Sequence, residues 1–205
     1  ALALASTPLS AADATTAKGL TADDLVRLAR VSDPQVSPDG RRVAYTLRET
    51  DLEANRGRTD LWVLELGAAA GSGTAGKTGA APRRLTQHLA SDSAPRWAAD
   101  GRGLYFLSSR GGSSQIWYLA LAGGEPQQVT TLPLDVGSFE VSPRGDRLAV
   151  SMEVFADCVD LQCSVDRLAA RDKHKASGLI YDQLFVRHWD TWKDGRLSQL
   201  FTLPI

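Results

Sequence analysis

Three stretches of this 205-residue chain repeat one another, and that repetition narrows the accessible folds more than composition does. The copies run Pro34–Tyr45, Pro95–Phe106 and Phe139–Val150. In each, an Asp, Arg or polar turn residue leads to a Gly (Gly40, Gly101, Gly145) able to take positive φ. An alternating β-branched and aromatic strand follows. Pro38 and Pro143 preset the first turn position in two of the three copies.

The likeness continues past the turn. Asp60-Leu61-Trp62-Val63-Leu64 follows the first copy, Gln115-Ile116-Trp117-Tyr118-Leu119 the second and Ser198-Gln199-Leu200-Phe201-Thr202 the third. Arg83-Arg84-Leu85-Thr86 and Gln127-Gln128-Val129-Thr130 then close the first two units, and no closing segment follows the third. One unit is therefore strand, turn, strand, strand and a short polar strand ending in Thr, the make-up of a four-stranded propeller blade. The expected fold is all-β: a partial β-propeller of about two and a half blades, preceded by a short helix at Ala22–Ala29 behind the N-cap Thr21. Blade 1 is expected over about 31–87, blade 2 over 91–131 and blade 3 over 136–205, with residues 1–20 outside the propeller.

Spacing shows where the units differ. From turn Gly to the matching strand is 22 residues in the first unit (Gly40 to Trp62), 16 in the second (Gly101 to Trp117) and 55 in the third (Gly145 to Leu200). The third unit thus carries an insert, 156–196, and loops of that length are commonly functional or disordered. Because propellers close as rings of roughly 4–8 blades and an open arc leaves strand edges bare, the chain reads as a fragment. The alternative is one half of a nicked protein whose remainder stays bound.

Charge excludes several partners. With 23 basic and 24 acidic residues, a net charge of -1, there is no electrostatic case for nucleic acid or an anionic membrane surface. No apolar run approaches the roughly 18 residues of a spanning helix. The start reads differently: Ala1–Leu4 is apolar and Ala12-Asp13-Ala14 has the small-x-small form of a signal-peptidase site. It is read as the tail of an export signal, against the alternative of an Ala-rich arm. In an exported protein Cys158 and Cys163 are most simply a local disulfide. A zinc site would need two more ligands, and His174 and His188 are not at finger spacing from the pair.

Gly71–Thr78 spells a phosphate-binding loop. Gly79, Pro82 and the closing strand follow it, however, so no helix N-terminus exists to hold phosphate, and a low-complexity loop is expected. No Ser has Gly at both flanking second positions, so the hydrolase nucleophile elbow is missing and no catalytic residue is assigned. Neither a cofactor nor a metal is called for.

Within the insert, Ser164 is expected to cap a helix Val165–Ala176 ended by Gly178. Tyr181–Trp192 is then expected as one strand, with Arg187, Trp189 and Thr191 on one face and His188, Asp190 and Trp192 on the other. Lys193–Arg196 makes its turn. The local reading is a strand packed on its blade, and the functional one is a chamber wall in which Arg187 holds peptide carbonyls. Glu153, between Met152 and Val154, is read either as a solvated-face acid or as an anchor for a cation.

Ser37-Pro38-Asp39-Gly40, Ser142-Pro143-Arg144-Gly145, Asp157–Cys163 and Tyr181–Trp192 together resemble the N-terminal propeller of the prolyl oligopeptidase family. The nearest resemblance is to bacterial exported dipeptidyl aminopeptidases and acylaminoacyl peptidases. It implies a propeller capping an α/β-hydrolase domain with a Ser-Asp-His triad, none of which maps onto this chain. It also implies a periplasmic or secreted serine peptidase acting in proteolysis. Its partners would be peptide substrate and the remainder of the same protein, and a homodimer is allowed. Family members that trim dipeptides often hold the free amine with paired glutamates on a propeller helix, and the insert helix has no such pair. On this resemblance Arg187, Trp189 and Trp192 are the expected substrate-binding residues, with Glu153 a weaker candidate for the amine. A non-catalytic exported scaffold and a nucleotide-binding protein are the competing readings.

Overall fold

The turn repeats fold alike. Gly40, Gly101 and Gly145 have φ of 70°, 67° and 71°. Each donates its N–H to the carbonyl three residues back, on Ser37, Ala98 and Ser142, at 2.8–2.9 Å. A Cβ-bearing residue would be strained at that φ, which is why the one constant residue of the three turns is glycine. The computed structural model describes residues 19–67, 81–173, 175, 178, 180–181, 187–189 and 191–205. The Ala-rich start, Gly71–Thr78, His174, Asp190 and residues 182–186 of the expected insert strand lie outside the described residues.

Each turn joins two antiparallel strands. The first sheet is β1 (Arg30–Val36), β2 (Arg42–Asp51), β3 (Arg56–Glu65) and β4 (Arg83–Arg84), side by side in that order. The second repeats the order with β5 (Asp92–Trp97), β6 (Gly103–Ser108), β7 (Gln115–Ala120) and β8 (Gln127–Gln128). The third starts with β9 (Val136–Val141) and β10 (Arg147–Phe155). The insert then supplies α2 (Leu161–Asp172), β11 (Arg187–His188) and β12 (Thr191–Trp192), and β13 (Arg196–Pro204) pairs back along β10. Register is the same throughout, and in the third sheet it sets Phe201, not the expected Leu200, in the place of Trp62 and Trp117. The residue five past the turn Gly faces the aromatic residue of the next strand: Tyr45 with Trp62, Phe106 with Trp117, Val150 with Phe201. The chain leaves the third sheet at Phe155 and re-enters at Arg196, and these two are cross-strand partners. The result is a partial β-propeller.

The core lies between the sheets. Ala44 and Val63 of the first sheet pack on Trp97 and Leu104 of the second, and Leu61 packs on Phe106 and Leu119. Ile116 of the second joins Leu148, Val150 and Met152 of the third. Leu61, Leu104, Phe106, Ile116 and Leu148 have no exposed surface. Burial stabilises by about 1.5–3 kcal/mol for each such side chain, so neighbouring sheets hold one another in place.

A side-chain clamp closes each of the first two sheets. Thr86 Oγ1 accepts the Leu61 N–H at 3.0 Å and donates to Asp60 at 3.3 Å. Thr130 Oγ1 accepts the Ile116 N–H at 2.9 Å and donates to Gln115 at 2.8 Å. Arg84 and Gln128 likewise donate to the carbonyls of Thr86 and Thr130. The closing Thr thus substitutes for a ladder bond where the short strand ends.

Two helices depart from expectation in their bounds. The first, α1, is Ala22–Arg27, with the N-cap Thr21 in a reciprocal pair with Asp24, and it ends two residues before Ala29. The insert helix α2 starts earlier than expected, at Leu161, because Asp160 is its cap and accepts the Cys163 N–H at 2.8 Å. Ser164 lies inside the helix instead, fully buried, and its Oγ accepts the Phe155 N–H at 3.2 Å. The C-cap is Lys173 in right-handed geometry, and Gly178 is not among the left-handed residues. Leu161, Val165 and Leu168 form one helical face against the third sheet's core, and this packing sets the helix frame.

Candidate functional site at the insert of the third sheet

The insert returns to its sheet through the turn Asp194-Gly195-Arg196. The Arg196 N–H bonds Asp194 Oδ1 at 3.1 Å and Arg196 Nε bonds Oδ2 at 2.8 Å. Arg171, in the last turn of α2, reaches the same carboxylate at 3.2 Å. Arg196 also pairs with Glu153 on the facing strand β10 at 3.4 Å. A chain of alternating charge, Arg171–Asp194–Arg196–Glu153, therefore ties the insert helix to both strands that flank the insert. Burial works to raise the pKa of Asp194. The hydrogen bonds from Arg196, with its charge and a bond from Arg171, outweigh it and hold the carboxyl below its ordinary value.

Two open grooves, each about 500 Å³, share Glu153, Arg196 and Ser198 as their common wall. One continues past Ser113, Asp135 and Leu168, and the other past Trp192, Lys193 and Asp194. Glu153 keeps 62% of its side chain exposed, so the carboxylate faces the grooves while paired. Its partner is a residue of the same chain, on a largely solvated face.

The expected single strand Tyr181–Trp192 is instead, where described, a two-residue hairpin. Trp189 sits at its tip with φ of 58°, and Arg187 is opposite Trp192. The alternation assigned to the faces is therefore wrong from Trp189 onward, because a left-handed residue reverses the chain there. Arg187 and Trp192 share a face: the guanidinium lies 5.4 Å from the Trp192 ring centre, and Tyr181 stacks on that ring at 5.9 Å. Trp189 is 88% exposed and lines neither groove. The structure thus brings Glu153 and Trp192 to one groove, sets Arg187 against Trp192 and leaves Trp189 apart.

Cys158 and Cys163 are joined in a disulfide across the start of α2. Arg167, one helical turn on, bonds both oxygens of Asp157 at 2.8 and 3.0 Å and lies over the Phe155 ring. Arg171, Asp194 and Arg196 escaped the sequence reading. Their signal in the sequence is the Asp194-Gly195-Arg196 triplet, which by itself indicates only a turn. Among the described residues, no group of three His, Cys, Asp or Glu is placed to hold a metal, and no helix is long and apolar enough to cross a membrane.

The family model of the TolB beta propeller domain matches residues 27–159. The chain belongs to that family. This propeller is 32% identical over 139 residues to an uncharacterized peptidase, YuxL, of Bacillus subtilis, covering 67% of the chain and 19% of that protein. It is 28% identical over 179 residues to dipeptidyl-peptidase 5 of Porphyromonas gingivalis, covering 86% and 23%. Among solved structures, the Pyrococcus horikoshii acylaminoacyl peptidase superposes with a TM-score of 0.59 at 18% identity, covering 88% of the propeller and 24% of that chain. The last match speaks to fold alone. Together they bear out the resemblance to the propeller part of prolyl oligopeptidase-family peptidases. The propeller spans about a fifth to a quarter of the length of these relatives.

Proposed function

We propose that this propeller is a segment of an exported serine exopeptidase that removes dipeptides or acyl-amino acids from peptide N-termini. In this reading it limits access to a hydrolase domain elsewhere in the protein and contributes to substrate binding. The observation that carries it is the charged groove system where the insert meets the third sheet, in a chain whose relatives are named as peptidases. Glu153 offers an exposed carboxylate for a substrate ammonium, with Arg196 fixing its position. Arg187 and Trp192 form a cation–aromatic wall suited to a peptide backbone and an apolar side chain. The Cys158–Cys163 disulfide supports an oxidising compartment, periplasmic or extracellular.

The test uses the complete protein. Dipeptidyl, aminoacyl and acyl-aminoacyl chromogenic substrates are assayed with wild type and Glu153→Gln. Selective loss on free-amine substrates supports the amine role, and equal loss on acylated ones removes it. Failure of a serine-directed fluorophosphonate to label the complete protein would overturn the peptidase reading itself.

A further inference from the structure

The first two sheets differ in one matching row of cross-strand partners. Starting four residues past the turn Gly, the row is Ala44–Val63–Arg83 in the first sheet and Tyr105–Tyr118–Gln127 in the second. Ala44 and Val63 are buried against Trp97 of the second sheet, whose Nε1 donates to the Gln35 carbonyl at 2.8 Å. The third sheet has Val141 where the second has Trp97, so less bulk comes down on the two tyrosines. An open groove of about 430 Å³ lies there, between the second and third sheets. Asp100, Tyr105, Tyr118, Gln127, Arg144 and Ile205 line it. The two tyrosine rings lie 5.1 Å apart, tilted by 53°. A Cβ on Gly103 would meet the Tyr118 phenol, so the glycine makes room for that ring.

Few of the groove's polar groups are spent on one another. Asp100 accepts the Arg102 N–H at 2.9 Å and Arg144 pairs with Asp146 at 3.3 Å. Among the described residues the hydroxyls of Tyr105 and Tyr118 and the Gln127 amide have no hydrogen-bond partner. Burial, with Tyr118 and Asp100 nearby, raises the pKa of Tyr105, so its hydroxyl stays a neutral donor. Asp100 and Arg144 supply one charge of each sign, which selects no ion. The backbone behind the groove is already paired, β7 lying between β6 and β8, so an extended peptide finds no main-chain partners there. What the groove offers is two phenol rings and a fringe of hydroxyl, amide, carboxylate and guanidinium groups.

We infer that this groove binds a neutral polyhydroxylated ligand, a mono- or disaccharide. A C–H face of the sugar lies against Tyr105 and Tyr118, and its hydroxyls are shared among Asp100, Gln127 and Arg144. The volume falls within the range of small-molecule sites, roughly 300–1,000 Å³. The groove is at the turn end of the strands, separated from the insert by the nine residues of β10, roughly 27 Å. Its test therefore involves no catalysis and leaves the peptidase reading standing if it fails. Leu121 and Ile205 hold matching places, their N–H groups donating to the carbonyls of Arg102 and Asp146. The matching groove between the first and second sheets stays open although the chain runs on past Leu121, so the opening does not depend on where Ile205 falls in the sequence.

The complete protein is titrated calorimetrically with glucose, N-acetylglucosamine, cellobiose and N,N′-diacetylchitobiose. Saturable binding of at least one is expected, weakened roughly three- to tenfold by Tyr118→Phe and by Gln127→Leu. Arg83→Gln, at the matching place in the first sheet, should leave the affinity unchanged. Gln127 is exposed, so Gln127→Leu keeps the test decisive should Tyr118→Phe fail to fold. No saturable binding of any of the four sugars overturns the proposal, as does binding that Gln127→Leu leaves unchanged or that Arg83→Gln weakens equally. Triglycine binding in place of the sugars, with loss in the same two variants, would make the groove a peptide site and overturn it as well.

Discussion

Arg96 of the second sheet donates to Asp33 of the first across 2.8 Å. The same guanidinium reaches Glu140 of the third sheet at 2.9 Å, so one side chain ties three sheets together along their first strands. Burial works to lower the pKa of Arg96, and the two carboxylates more than offset it. Asp33 holds φ of 48° at the irregularity in β1, so the ion pair also fixes that bend. Arg96→Ala should lower stability by about 1–2 kcal/mol, discounted for the exposed Glu140 arm. Thermal unfolding of the complete protein checks this, with the propeller transition falling by a few degrees.

The clamp in the second sheet can be tested by a near-isosteric change. Thr130 is 3% exposed, and its hydroxyl serves both the Ile116 N–H and Gln115. Thr130→Val leaves the buried Ile116 N–H unmet, while Gln115 Oε1 keeps its bond from the Leu132 N–H, and should cost about 1–3 kcal/mol; Thr130→Ser should cost less because the hydroxyl remains. Denaturant midpoints of the two variants decide it. A loss in Thr130→Ser as large as that in Thr130→Val would show that the methyl packing, which only the Ser variant removes, matters as much as the hydroxyl.

The Asp194 carboxyl, held below its ordinary value of 3.8, binds its proton less readily in the folded state than in the unfolded one. Its contribution is therefore complete above about pH 4 and is lost as pH falls through the lower folded value. Acidification below pH 4 should loosen the turn at Asp194–Arg196 and the C-terminal end of α2. Hydrogen exchange followed against pH should show this in wild type. In Asp194→Asn the same amides should exchange quickly already at neutral pH and lose their acid dependence.

Arg187→Ala should lower kcat/KM by about ten- to a hundredfold, the equivalent of 1.5–3 kcal/mol for a lost hydrogen bond to a charged group, with an unchanged melting temperature. Stopped assays on the complete protein with scanning calorimetry separate the outcomes. Unchanged kinetics with a large loss of stability would make Arg187 a support for Trp192.

What the sequence disclosed tracks how local the physics is. Gly40, Gly101 and Gly145 announce their turns because few residues tolerate φ near 70°, and the strands after them alternate within a few residues. The start of the insert helix was misread because Ser164 and Asp160 are equally good caps by composition. The choice is made by Leu161, Val165 and Leu168 docking on the third sheet, a contact between distant parts of the chain. Trp189 gave no warning that it would reverse the chain, since a bulky aromatic residue disfavours positive φ. Thr86 and Thr130 were visible as a repeat, but the N–H each one caps was not.

Phe155 and Arg196 face each other across β10 and β13, so the forty residues between them leave and return at neighbouring points. Lengthening such a detour adds only about 0.6 kcal/mol of closure entropy per doubling, and no strand has to slip. The detour is therefore a replaceable part. Its length can change while the turns and clamps keep their register, provided that something takes the place of Leu161, Val165 and Leu168 on the core.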